Sequence, residues 1–200
     1  MSQSFSKNFE EVSKIFPFKG YLLNKKYQIS NIIKEIECFL QKGSKILDVG
    51  SGPCDITSIL SSMGYECSAC DDLQDDWHNE LNNKELILEF AKKMNVNFHQ
   101  MNDDFYIPFE KESFDLVMSN DVLEHLHESP KEILKNMIDF VKPGGKILIT
   151  VPNAVNIKKR INVLFGRTNL PPFDSYYWHK GDLWRGHIRD CLLYTSDAAD

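Results

Sequence analysis

The segment Ile46–Thr57, ILDVGSGPCDIT, ends an apolar run in an acid, Asp48, follows it with Gly50 and Gly52, and adds Cys54 and Asp55 before a helical pattern. Glycines at that spacing let a backbone turn tightly and approach a ligand closely. In a dinucleotide-binding turn of the form G-x-G-x-x-G, the position of Asp55 takes a small residue, and a carboxylate there faces the pyrophosphate and repels it. A nucleoside cofactor without phosphates removes the conflict. S-adenosylmethionine carries a sulfonium, an ammonium and one carboxylate, so an acidic turn suits it, with Asp48 engaging the ammonium or ordering the turn through water. Asp55 thus disfavours a nicotinamide oxidoreductase, and a glycine turn that holds no ligand is the plain alternative.

Further polar candidates follow at the ends of apolar runs. Asp71 can accept hydrogen bonds from ribose hydroxyls, or can be an exposed acid at a strand end. Asp103, in HQMNDDFYIPF, can accept from an adenine amino group with Asp104 beside it, or either can form a turn. FDLVMSNDVLEHL ends in Asn120 and Asp121 and turns into a short helix carrying His125. His125 and His187 are the candidate general bases for a hydroxyl acceptor. Each has another reading, His125 as a helix-start residue at the cofactor edge and His187 as a substrate contact. Cys67 and Cys70 form a C-x-x-C, but residues three apart on a strand point to opposite faces, so no metal site is expected.

These residues need a scaffold that brings strand ends together. Strands are expected at Lys45–Val49, Tyr65–Cys70, Val96–Met101, Phe114–Ser119 and Lys146–Val151, the last buried on both faces. Helices are expected over Tyr27–Gln41, Asp55–Met63, Leu81–Lys93 and Ser129–Val141, with Pro143-Gly144-Gly145 as a hard stop before the last strand. Strand–helix alternation implies an α/β fold with a mostly parallel, doubly wound sheet, whose ligand lies at the carboxyl ends of the strands.

The chain of 200 residues, 42% hydrophobic and 26% charged, can bury one sizeable core. A net charge of −6 argues against a phosphate-dominated nucleic-acid surface. No apolar run approaches a membrane span, and the N-terminus lacks signal-peptide features, so a soluble cytoplasmic protein is expected. NIKKRINVLFGR puts Ile157, Ile161, Leu164 and Phe165 on one helical face and Lys158, Lys159, Arg160 and Arg167 largely elsewhere. The expected arrangement packs the apolar side on the sheet; a lid, a grip for a phosphate-bearing acceptor and a membrane-surface contact are the alternatives. The aromatic-rich LPPFDSYYWHKGDLW suits a substrate wall.

Taken in order from about Lys45 to Asn153, these motifs resemble the class I S-adenosylmethionine-dependent methyltransferases, in the branch whose fourth-strand motif reads V-L-E-H-L. The resemblance implies a Rossmann-like sheet and a cofactor site of Asp48, Gly50, Ser51 and Gly52 for the methionine part, Asp71 with Asp72 for the ribose, Asp103 with Asp104 for the adenine, and Asn120. It implies methyl transfer to a small-molecule acceptor, most simply at a hydroxyl oxygen of a sugar, lipid or natural product. A cofactor-binding partner subunit without catalysis is the alternative. Cys54 departs from the family's third glycine and Asn102 from a common glycine.

The last ten residues, CLLYTSDAAD, resemble the translation of a transposon end used in sequencing-library adapters. A methyltransferase domain over 1–190, a non-native tail over 191–200 and the absence of the family's final antiparallel strand pair are therefore expected.

Overall fold

The computed structural model describes residues 3–101, 107–153 and 156–167, together with Asp174, Tyr177, Trp178, Trp184, Gly186 and His187. Asp103, Asp104 and the expected tail at 191–200 lie outside the described residues.

Five strands form one sheet: β1 Lys45–Val49, β2 Glu66–Asp71, β3 Asn97–Gln100, β4 Phe114–Asn120 and β5 Val141–Thr150, in the order β3-β2-β1-β4-β5. β1 pairs in parallel with β2 and β4, and β2 in parallel with β3, so the chain order reverses beside β1. The helices are α1 Gln3–Ile15, α2 Tyr21–Phe39, α3 Asp55–Ser62, α4 Asn83–Lys93, α5 Lys131–Phe140 and α6 Ile157–Leu164. Short 3₁₀ turns at Asp76–Asn79 and Leu123–His125 complete the described elements.

Alternation along the strands splits the core. Ile46, Leu116 and Met118 join Phe5, Phe9 and Val12 of α1 with Phe16 just after it, Ile29, Ile33 and Ile36 of α2, and Ile59 and Leu60 of α3 in one cluster. Leu47 and Val117, also fully buried, stand between those positions and point to the other face, where α5 packs on β4. Helices thus cover both faces, as a parallel sheet requires.

Four expectations are corrected. α1 was not expected, yet Phe5, Phe9, Val12 and Phe16 recur at helical spacing and are all buried. α2 begins at Tyr21 rather than Tyr27, because Gly20, at φ +79°, gives the chain a left-handed entry and Leu22 is buried from the first turn. Pro143-Gly144-Gly145 does not precede the last strand but lies inside it. Ser113 N already donates to Phe140 O at 3.1 Å, so extended backbone starts at Val141, and Gly144 accommodates the irregularity at φ +79°. β5 is also not buried on both faces, since Ile147 and Ile149 are exposed at this edge strand.

The chain divides into two compact units, one of Met1–Asn120 with Lys131–Leu148 and one of Asp121–Pro130 with Ile149–Asp200.

Candidate functional site

In the first unit the candidate site forms where β1, β2 and β4 end. The β1 turn is tied to β2 by Gly50 N and Ser51 N, which donate to Cys70 O at 2.8 and 3.2 Å. Gly50 and Gly52 have φ of +75° and +51°, which explains glycine at both. Cys54 has φ +58° and caps α3 from the left-handed region, so the backbone keeps the glycine conformation although the side chain is a buried thiol. Its Sγ lies 3.6 Å from Ser51 Oγ.

Asp71 is held at both oxygens. Gly52 N donates to Oδ2 and Leu73 N to Oδ1, each at 2.7 Å. The carboxylate therefore locks the glycine turn to the end of β2, a role that sequence reading did not assign it. Each oxygen keeps a second lone pair for a ligand. Asp72 is partly exposed and accepts from Gln74 N at 3.0 Å.

Asp48 is buried at the end of β1. Thr57 Oγ1 donates to its Oδ2 at 2.5 Å, while Oδ1 accepts no hydrogen bond among the described residues. Asn120, at the end of β4, lies against this carboxyl and favours its charge. Burial outweighs both contacts and, with repulsion from Asp55 and Asp71, raises the Asp48 pKa to about 7. Burial likewise raises Asp71 to about 6, against the hydrogen bonds from Leu73 and Gly52. Asp55, in the first turn of α3, is also raised by burial, and Lys25 Nζ of α2 offsets this from 3.6 Å. Three buried acids around one glycine turn make surroundings that favour a cation. Thr57 escaped the sequence reading; its only signal was its place two residues after Asp55 at the start of α3.

Cys67 belongs to the main core cluster whereas Cys70 does not, as expected for residues on opposite faces of β2. Burial pushes both thiols up, which makes them poor nucleophiles.

In the second unit, Glu124, His125 and His187 come together across 62 residues of sequence. The two imidazole rings stand perpendicular with centroids 4.8 Å apart, and His125 Nε2 lies 4.0 Å from Glu124 Oε1. Glu124 is 0% exposed, and among the described residues no hydrogen bond to its carboxylate oxygens is formed. Burial and Asp121 raise its pKa, while His125 and His187 lower it. One potential ligand atom from each of the three residues lies within 4.8 Å of the others, so the set can share a proton or hold a divalent cation. The sequence offers the two histidines as alternative candidate bases and leaves Glu124 without a role. His127 bonds through Nε2 to Trp184 O.

The sequence profile of the family described as "Methyltransferase domain" matches residues 21–186. Among curated proteins, the ubiquinone biosynthesis O-methyltransferase of Rickettsia canadensis is 27% identical over 139 residues, covering 68% of this chain and 54% of that protein. The Coxiella burnetii protein of the same name is 26% identical over 131 residues, with 62% and 50% covered. The chain thus spans about half the length of the curated relatives it matches. Among solved structures, YcgJ of Bacillus subtilis has a TM-score of 0.56 at 18% identity, covering 86% of this chain and 65% of that one. A SAM-dependent methyltransferase of Aquifex aeolicus has 0.52 at 17%, with 79% and 86% covered. These structures share the Rossmann-like fold.

Proposed function

As the chain belongs to the methyltransferase-domain family, we propose that it is an S-adenosylmethionine-dependent methyltransferase acting on a hydroxyl oxygen of a small molecule. The observation that carries the reading is the buried Asp48–Asp55–Asp71 set around the Gly50–Gly52 turn, with an oxygen of Asp48 left for a ligand. Burying acids this way is costly in the free protein and becomes favourable when a cation enters. When bound, S-adenosylmethionine supplies a methyl carbon made electrophilic by its positive sulfur.

The chain's own residues do the rest. Gly50, Ser51 and Gly52 offer a close backbone approach, and Asp48 holds the ammonium end. Asp71, oriented by Gly52 N and Leu73 N, accepts from the ribose with Asp72 beside it, and Asn120 lies against the Asp48 carboxyl. Alignment in a dry pocket supplies most of the acceleration, because the leaving group is already good. His125 or His187 removes the acceptor proton, and the buried Glu124 carboxylate stabilises the imidazolium that forms. The names of the relatives, O-methyltransferases of ubiquinone biosynthesis, support oxygen as the acceptor atom.

Calorimetric titration with S-adenosylmethionine and with NAD tests the cofactor. Saturable binding of the first and none of the second is expected. Transfer of labelled methyl to a panel of hydroxylated small molecules tests the reaction, and full turnover in the presence of a chelator separates a proton role for the Glu124 set from a cation role.

A further inference from the structure

Helix α6 is oriented against its own amphipathic pattern. Its ends are well formed, since Asn156 Oδ1 accepts from Lys159 N at 2.9 Å and Gly166, at φ +67°, closes the C-terminus with Arg167 N donating to Asn162 O. At about 100° per residue, Leu164, Ile157, Ile161 and Phe165 fall on one arc, with Arg160 on one border and Lys158 on the other. Those four apolar residues are 83%, 78%, 47% and 77% exposed. The half-buried positions of 156–167 are Lys159 and Asn162, on the polar side. The apolar side, expected to be packed, is therefore exposed.

The charge around that arc selects what covers it. Residues 156–167 contain Lys158, Lys159, Arg160 and Arg167 and no acid, in a chain whose net charge is −6. A second copy docking arc to arc would bring one cationic cluster against another. A nucleic acid would satisfy the cations and leave the apolar arc in water. An anionic lipid surface satisfies both, with apolar side chains at the acyl boundary and flanking cations extending to the headgroup phosphates.

We propose that α6 is a membrane-surface anchor, which lies in the plane of an anionic bilayer with Ile157, Ile161, Leu164 and Phe165 inserted and Lys158, Arg160 and Arg167 on the headgroups. The proposal stands independently of the methyl acceptor. The chain co-sediments with vesicles of phosphatidylcholine containing about one third phosphatidylglycerol, and at least about tenfold less with phosphatidylcholine alone. Leu164→Glu with Phe165→Glu, both at exposed positions, abolishes sedimentation while circular dichroism and S-adenosylmethionine affinity stay unchanged. Lys158→Gln with Arg160→Gln removes the preference for the anionic vesicles. Absence of vesicle binding, binding unaffected by the Leu164 and Phe165 changes, or dimerisation abolished by those same changes would each overturn the proposal.

Discussion

Asp71 carries two jobs in one side chain, and the two separate on mutation. Asp71→Ala removes the acceptor of Gly52 N and Leu73 N together with the proposed ribose partner. It is expected to weaken S-adenosylmethionine binding about ten- to hundredfold and to lower stability by about 1–3 kcal/mol, read by calorimetry and urea denaturation. Cys54 behaves differently, because its departure from the family's glycine left the left-handed backbone in place. Cys54→Gly relieves that conformation and loses a buried thiol, two effects of about 1 kcal/mol and opposite sign, so cofactor affinity within about twofold of the wild type is expected. For the proposed bases, His125→Ala and His187→Ala should leave cofactor affinity intact, and the one that takes the proton should lower turnover by roughly 10²–10⁴-fold in a labelled-methyl assay. At this scale the acids and glycines were legible, because turn chemistry is local. Thr57 and Glu124 were not, because their importance comes from what folding buries beside them.

The elements were legible in proportion to how local their signal is. β1 runs Lys45–Val49 as read, and β4 extends one residue beyond its expected end, because short apolar runs between turn residues mark buried parallel strands. α1 was missed although its apolar spacing is regular, since polar residues outnumber apolar ones in it. Phe9, buried and 5.5 Å from the Phe5 ring, tests whether α1 is integral to the core. Phe9→Ala should destabilise the protein by about 3–5 kcal/mol in urea denaturation, whereas a loosely docked helix would lose less than about 1 kcal/mol. α6 shows the opposite limit: periodicity fixes that an apolar face exists, and only the tertiary structure fixes which way it points. β5 began early for a similar reason, since its pairing with the start of β4 overrides the breaker residues within it.

For the molecule as a whole, the fold class followed from alternation, and the strand order then brings acids from β1 and β2 to one end of the sheet. Their shared burial couples the site to global stability. Asp48 and Asp71 have folded pKa values of about 7 and about 6, above the ordinary 3.8, so the folded chain binds more protons than the unfolded chain between those limits. The stabilising contribution is complete below about pH 3.8 and is lost as pH rises through 6 and 7. From pH 5.5 to 7.5 the ligand-free protein should therefore lose on the order of 2 kcal/mol from these two groups. Asp115, lowered chiefly by its hydrogen bond from Lys142, contributes in the opposite direction, but its transition falls below this window. Asp48→Asn should flatten the pH dependence and stabilise the free protein at pH 7.5 while weakening S-adenosylmethionine binding. The cation favours the ionised acids, so its binding releases protons and tightens as pH rises over the same window. Urea denaturation at both pH values, with and without saturating S-adenosylmethionine, reads these effects together. A ligand-induced stabilisation that grows toward pH 7.5 in the wild type, and grows less in Asp48→Asn, is the expected result. Equal pH dependence in the two proteins would place the ligand away from Asp48.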